Sequence, residues 1–175
     1  KVGPDYLDPQ QLSTISKNPC RNIDLVLYGK KWVKSSFFYH ASKTDLSLVE
    51  GAMGLFDGLG STSTGSTAEI SKYLNLPVLL VVNARGQAAS LAPLIKGFRD
   101  EDPKIKIAGV ILNHVKTDRH KKLLKEVLDS INVKMIGCLP SSKSMELPEK
   151  NLGLAPSHEI HDLKERVDKW TLLAK

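Results

Sequence analysis

The sequence predicts an α/β fold, a three-layer sandwich built on a mostly parallel sheet. Three observations carry this. Four short apolar runs have strand character, segments of helical period separate most of them, and the connections are short, with no repeat or low-complexity linker in the 175 residues. Such alternation is the pattern of βαβ units, in which a crossover helix returns the chain so that successive strands run parallel.

Each element has its own signal. Asp8 followed by Pro9 starts a helix, a capping carboxylate and then a residue that needs no N–H partner. Leu46 to Val49 is the first strand candidate, and Ser66 to Leu74 has helical period. Pro77 to Val82 is the second strand, Ala88 to Phe98 the next helix, and Ile105 to Leu112 the third strand. Over Asp118 to Ile131, Leu123, Leu124, Val127, Leu128 and Ile131 share one helical face while the lysines take the other. Val133 to Leu139 is the fourth strand. A last helix is expected from Ser157 or His158 to Ala174, with Ile160, Leu163, Val167, Trp170 and Leu173 spaced by three or four. Lys1 and Val2 run straight into Gly3-Pro4, so the chain is expected to begin partway into a domain.

Composition narrows the function classes. With 41% hydrophobic and 25% charged residues the chain can fold, and its length suits one domain, residues 1–175. The longest apolar stretch, Leu76 to Val82, contains a proline and falls far short of the ~20 residues that span a bilayer, so no membrane role is expected. Cys20 and Cys138 make neither a disulfide scaffold nor a four-ligand zinc site, and a cytoplasmic location is expected. The net charge of +6 is scattered, and its densest cluster, Arg119, His120, Lys121, Lys122 and Lys125, falls on the lysine face of a helix. A solvated face accounts for it, so no nucleic-acid partner is expected; the surplus also favours a small polyanionic ligand.

Two stretches could carry chemistry. The first is Leu46 to Ser66, LSLVEGAMGLFDGLGSTSTGS, in which an apolar run ends at Glu50 and a loop with five glycines and Asp57 leads into a helix. Ligands of parallel sheets sit at the carboxyl ends of strands, where an acid can hold Mg²⁺ and loop N–H groups can meet phosphate oxygens. A tight crossover closed by Glu50 explains the same residues. The second is KVGPDYLD at Lys1 to Asp8, where Asp5 and Asp8 flank Tyr6 after a Gly-Pro turn. Two carboxylates three residues apart can orient a substrate, bind Mg²⁺ or act as a base, and turn chemistry and capping explain them as well.

Other motifs fail. The only Gly-Lys pair, Gly29-Lys30, is followed by Lys31 and has Asp24 where a GxxxxGK[ST] loop needs its first glycine, so the chain cannot cradle a triphosphate unaided. His158 and His161 do not form an HExxH zinc helix, and neither cysteine sits in a nucleophile elbow.

Read together, KVGPDYLDP, RNID (Arg21 to Asp24), VEGAMGLFDG (Val49 to Gly58), GSTAEISKYLNLPVLLVV (Gly65 to Val82), IAGVILNHV (Ile107 to Val115) and LGLAPSHE (Leu152 to Glu159) resemble the cobyrinate a,c-diamide synthases and the similar sirohydrochlorin and hydrogenobyrinate enzymes. The resemblance runs over essentially the whole chain. It implies a P-loop NTPase-like amidoligase domain, similar to dethiobiotin synthetase and lacking here its first strand and phosphate loop. Such an enzyme uses ATP and Mg²⁺ to phosphorylate a carboxylate that ammonia then converts to an amide. The implied partners are a tetrapyrrole substrate and a C-terminal glutaminase domain that supplies ammonia; a homodimer is left open. The fragment alone is expected to be inactive.

By the same resemblance Glu50 looks like the Mg²⁺-associated acid and Asp57 its neighbour in that role or in positioning substrate. Asp5, Tyr6, Leu7 and Asp8 look like the substrate loop, Lys1 like the lysine that neutralises anionic oxygens, and Asn113 like the residue that meets the adenine edge. The family commonly has Asp where Asn83 stands, His where Gln10, Gln11 and Leu12 follow the substrate loop, and Arg-His where Lys150-Asn151 precedes LGL. A partition-ATPase-like regulatory module is the alternative, and it leaves Asp5, Asp8, Glu50 and Asp57 without a task.

Overall fold

Along the chain the elements are α1 (Asp8–Ser16), α2 (Gly29–Ala41), α3 (Thr67–Leu74), β1 (Val78–Asn83), α4 (Leu91–Glu101), β2 (Ile107–Val115), α5 (Asp118–Ser130), β3 (Met135–Pro140), β4 (Glu149–Lys150), β5 (Gly153–Leu154) and α6 (Leu163–Leu173). They come from a computed structural model that describes residues 1–142, 149–150, 153–154 and 159–173. Two compact units divide them: Lys1–Asn75 with Pro148–His161, and Leu76–Leu147 with Asp162–Lys175.

The second unit holds the expected α/β architecture. Its three strands pair in the order β1-β2-β3, all parallel, with Asn83 level with Asn113 and Leu112 with Cys138. In β1 Leu80 and Val82 point inward while Leu79 and Val81 stay exposed, the period-two pattern of a strand. Val110 and Leu112 of the central strand are fully buried. Gly109 is required there, because a Cβ would run into the Ile136 side chain of β3. The crossover helices α4 and α5 pack on one another and bury Leu91, Ile95, Leu124 and Leu128. Thr117 caps α5, its hydroxyl accepting from His120 N at 3.1 Å. The basic cluster lies on the outer side of α5, as its period implies, with His120 half-buried against the Gln87 carbonyl at 2.8 Å.

The first unit contains α1, α2 and α3 and the small antiparallel β4–β5 pair. The expected strand at 46–49 does not form a ladder. A strand exists through its hydrogen bonds, and this stretch is met at its end by one, Val2 N donating to the Glu50 carbonyl at 2.8 Å. Leu46 and Leu48 stand 74% and 82% exposed. Asp8 is not the cap of α1 either: Leu7 holds the N-cap position, Asp8 lies inside the first turn with Pro9 after it, and Asp5 supplies the oxygen that takes the free N–H groups.

Other boundaries shift modestly. Helix α4 begins at Leu91, since the backbone at 88–90 makes i+3 turns first and Pro93 in the opening turn needs no donor. Strand β2 runs on to Val115 through an irregularity at His114, whose φ is +61°. Helix α6 starts at Leu163; Ser157, His158 and Ala174 lie outside the described residues. Helix α2 has no counterpart in the sequence expectations. Among the described residues no helix is long and apolar enough to cross a membrane.

Candidate functional site

Three separate segments meet beside Lys1. Val2 and Ile23 form a parallel bridge, with Ile23 N donating to Lys1 O at 2.8 Å and Gly3 N to Ile23 O at 2.9 Å, while the Glu50 carbonyl takes Val2 N. This brings the Lys1 side chain over the Asp5–Asp8 loop and Glu50. Its ammonium lies 2.6 Å from Asp8 Oδ2, 2.8 Å from Glu50 Oε1, 2.9 Å from the Gly51 carbonyl and 3.8 Å from Asp5 Oδ2. Three donors thus meet three close acceptors, and the Lys1 side chain is only 6% exposed. Burial by itself would pull the Lys1 pKa down; the bonds to Asp8 and Glu50 outweigh it and hold the ammonium above the ordinary lysine range.

Asp5 shapes the loop. Its Oδ1 accepts from Leu7 N at 2.9 Å and Asp8 N at 3.0 Å, and its own carbonyl accepts from Asn22 Nδ2 at 2.7 Å. Burial pushes its carboxyl pKa up, but the two backbone N–H groups and the Lys1 charge carry it below the usual carboxylate range. Leu7 is half-buried at the head of α1, whereas Tyr6 is 82% exposed.

Glu50 opens the glycine-rich loop, which is fastened at both ends. Ala52 N donates to Thr67 Oγ1 at 3.2 Å, and Ser66 caps α3 by accepting from Glu69 N at 3.2 Å. Glu69 in turn accepts from Gly65 N at 2.7 Å, which with the neighbouring Lys30 ammonium lowers its pKa. Gly58 cannot carry a side chain: a Cβ there would collide with the Thr64 carbonyl and lie 2.7 Å from that of Thr62. Asp57 turns onto its own loop, accepting from Gly54 N at 2.8 Å, and is exposed. The geometry therefore gathers Lys1, Asp5, Asp8 and Glu50, and gives Asp57 a different setting.

Asn113 belongs to the other unit. It ends the run IAGVILN near the carboxyl end of β2, half-buried, its Oδ1 accepting from His114 N at 2.9 Å and its carbonyl from Ala84 N at 2.8 Å.

The acids beside Lys1 offer oxygen donors, the type Mg²⁺ takes. Among the described residues no three acidic, His or Cys side chains are disposed as a metal cage, and the Lys1 ammonium holds the space between them. Glu50, with its carboxylate 48% exposed, fits the other way in which Mg²⁺ is held, by one or two carboxylates and several waters.

Sequence reasoning assigned no role to Asn22, and it noted Gly51 and Gly58 only among the five glycines of the loop. Asn22 lies in the RNID string and Gly51 and Gly58 in VEGAMGLFDG, so the motifs held them, but no spacing rule links position 22 to position 5.

The AAA domain family matches residues 22–149. Curated relatives match more of the chain. A cobyrinate a,c-diamide synthase of Synechococcus sp. is 42% identical over 176 residues, covering 100% of this chain and 39% of the relative. One of Caldanaerobacter subterraneus is 44% identical over 97% of this chain and 38% of the relative. A hydrogenobyrinate a,c-diamide synthase of Streptomyces coelicolor is 44% identical over 91% of this chain and 33% of the relative. The chain thus spans well under half the length of these proteins. No solved structure matches.

Proposed function

The chain belongs to the AAA domain family, and from that membership and its whole-length likeness to cobyrinate a,c-diamide synthases we propose that it is part of an ATP-dependent amidoligase of cobalamin biosynthesis. The reaction is glutamine-dependent amidation of the a- and c-acetate carboxylates of a cobyrinate-type tetrapyrrole. The relatives' greater length supports a further domain in the complete protein; in this reading a phosphate loop lies upstream and a glutaminase domain downstream of these residues.

The observation that carries the proposal is the convergence of Asp5, Asp8 and Glu50 on one buried lysine. An acetate oxygen of the substrate takes the γ-phosphoryl group and ADP departs; ammonia then attacks the acyl carbon, phosphate leaves with the bonding pair, and the nitrogen loses a proton. Two anions must approach in the first step, so positive charge has to be held at the reacting centre. Lys1 offsets part of the negative charge of the three acids and keeps Asp8 and Glu50 from repelling one another. Mg²⁺, held through Glu50, neutralises phosphate charge when bound. The Asp5–Asp8 loop orients the acetate, its turn locked by the two N–H bonds to Asp5 Oδ1. Asn113 meets the adenine edge, an amide both donating and accepting.

The test is direct. The complete protein, incubated with cobyrinate, ATP, Mg²⁺ and glutamine, forms the a,c-diamide by mass spectrometry with matching release of ADP. Recovery of unchanged cobyrinate with no ADP overturns the proposal.

A further inference from the structure

Next to the Lys1 cluster the fold spends a buried carboxylate on exposing two aliphatic side chains. Asp24 is 7% exposed, and its Oδ1 accepts from Val26 N at 2.8 Å and Leu27 N at 2.9 Å, while its carbonyl takes Tyr28 N at 3.2 Å. The turn so fixed leaves Val26 50% and Leu27 64% exposed, with Tyr28 half-exposed against Trp32 at 4.6 Å between ring centroids. The two bonds fix the backbone of the turn that carries these side chains, and they satisfy the buried Asp24 oxygen.

The turn is tied to the site on both flanks. On one, Ile23 bridges Val2 and Asn22 holds the Asp5 carbonyl. On the other, Val26 Cγ2 would sit 3.1 Å from a Cβ on Gly65, at the far end of the loop that begins at Glu50. Behind it, Lys30 and Lys31 open α2, Lys30 paired with Glu69 at 3.2 Å and Lys31 exposed. Bare aliphatics flanked along the chain by segments bonded to the Lys1 cluster and by the exposed Lys31 suit a large apolar ring system with carboxylates on its rim. Small-molecule sites have this make-up, apolar walls with a few placed polar groups.

Resting on the function proposed above, we propose that Val26 and Leu27 form the apolar subsite against which the face of the tetrapyrrole rests while one acetate reaches the Asp5–Asp8 loop. Lys31 meets a carboxylate elsewhere on the rim. Leu27 is therefore a substrate-binding residue of the amidation.

Steady-state kinetics of the complete protein test this. In Leu27→Asp the KM for cobyrinate rises at least about tenfold, kcat at saturation stays within about twofold, and the KM for ATP is unchanged, because the lost contact is made equally in ground and transition states. Lys31→Glu raises the same KM, and Leu27→Met restores it. A wild-type KM in Leu27→Asp and Lys31→Glu overturns the subsite while leaving the proposed function intact. A loss of assembly mass in Leu27→Asp overturns it too, making this face a contact between copies. Absence of amidation in the unsubstituted protein overturns the function and the subsite together.

Discussion

Asp8 Oδ2 lies 2.6 Å from the Lys1 ammonium, the shortest of the ion pairs around that buried side chain. The contact decides what Asp8 is for. A carboxylate inside the first turn of α1 that faces a buried cation is an electrostatic partner, and the cap belongs to another residue.

Asp8→Asn keeps the shape and removes the charge. Lys1 then retains Glu50 and the Gly51 carbonyl, so the expected stability loss is about 1–2 kcal/mol, a fall of a few degrees in Tm. Amidation is expected to fall more than ~10-fold, about 1.4 kcal/mol in transition-state stabilisation. Thermal melts beside steady-state assays check both; wild-type turnover returns Asp8 to a structural role.

Asp5 and Lys1 set opposite ends of a stability plateau. Asp5 has a lowered folded pKa, so its contribution is complete above the unfolded aspartate value of about 3.9 and is lost as pH falls through the folded value. Lys1 has a raised folded pKa, so its contribution is complete below about 10.4 and is lost as pH rises through the folded value. Tm measured against pH should show the acid limb flattened in Asp5→Asn, whose Oδ1 can still accept both N–H bonds, and the alkaline limb flattened in Lys1→Met. A wild-type pH profile in both variants contradicts these directions.

Glu50→Gln separates the two halves of the proposed chemistry. Amidation should drop at least about 100-fold, the order seen when a preorganised charged group is removed from a transition state. Hydrolysis of glutamine by the complete protein should persist if, as proposed, Glu50 takes part in phosphoryl transfer only. Equal loss of the two activities points to misfolding.

Gly58→Ala tests the loop. The added methyl meets two backbone carbonyls that cannot rotate away, so the cost should reach about 1–3 kcal/mol, and Leu59 N should lose its 2.9 Å bond to the Thr64 carbonyl. Faster amide exchange across 58–66 by hydrogen-exchange mass spectrometry is the expected signature; unchanged protection means the loop relaxes freely.

The isolated 175-residue chain should bind Mg-ATP weakly, because its sequence holds no GxxxxGK[ST] loop. Calorimetry should give a Kd weaker than about 100 μM, corresponding to less than ~5.5 kcal/mol. Micromolar affinity would show that other residues cradle the phosphates.

Local patterns were readable where one element decides its own fate. The face of α5 and the apolar run of β1 are written in neighbouring residues, and both formed within a residue or two of expectation, while the alternating burial of β1 is not visible in its uniformly apolar sequence. Helix α2 was hidden because its lysines and aromatics draw no clean apolar stripe, and only Val33 within it is fully buried. The start of α1 was seen as chemistry, but Asp8 was taken as a cap where Leu7 holds that position and Asp5 fixes the turn before it, since capping rules count from a helix start that the Asp5 turn itself sets. No periodicity could join Lys1 to Glu50 across 49 positions, or Asn22 to Asp5 across 17. Those pairings depend on how segments cross in space. The recurring strings pointed to Lys1, Asp5, Asp8 and Glu50 individually without showing that one ammonium would hold the three acids.

The stretch at 46–49 matters for anyone handling this chain alone. Leu46 and Leu48 lie on alternate positions, bare, beside main-chain groups that no ladder occupies. Such a surface templates cross-β growth, the route by which an unpaired edge seeds precipitation. Shelf life of the purified 175-residue polypeptide should therefore be set by concentration-dependent clumping through this stretch, and Leu48→Lys, a gatekeeper charge at its most exposed apolar position, should lengthen it.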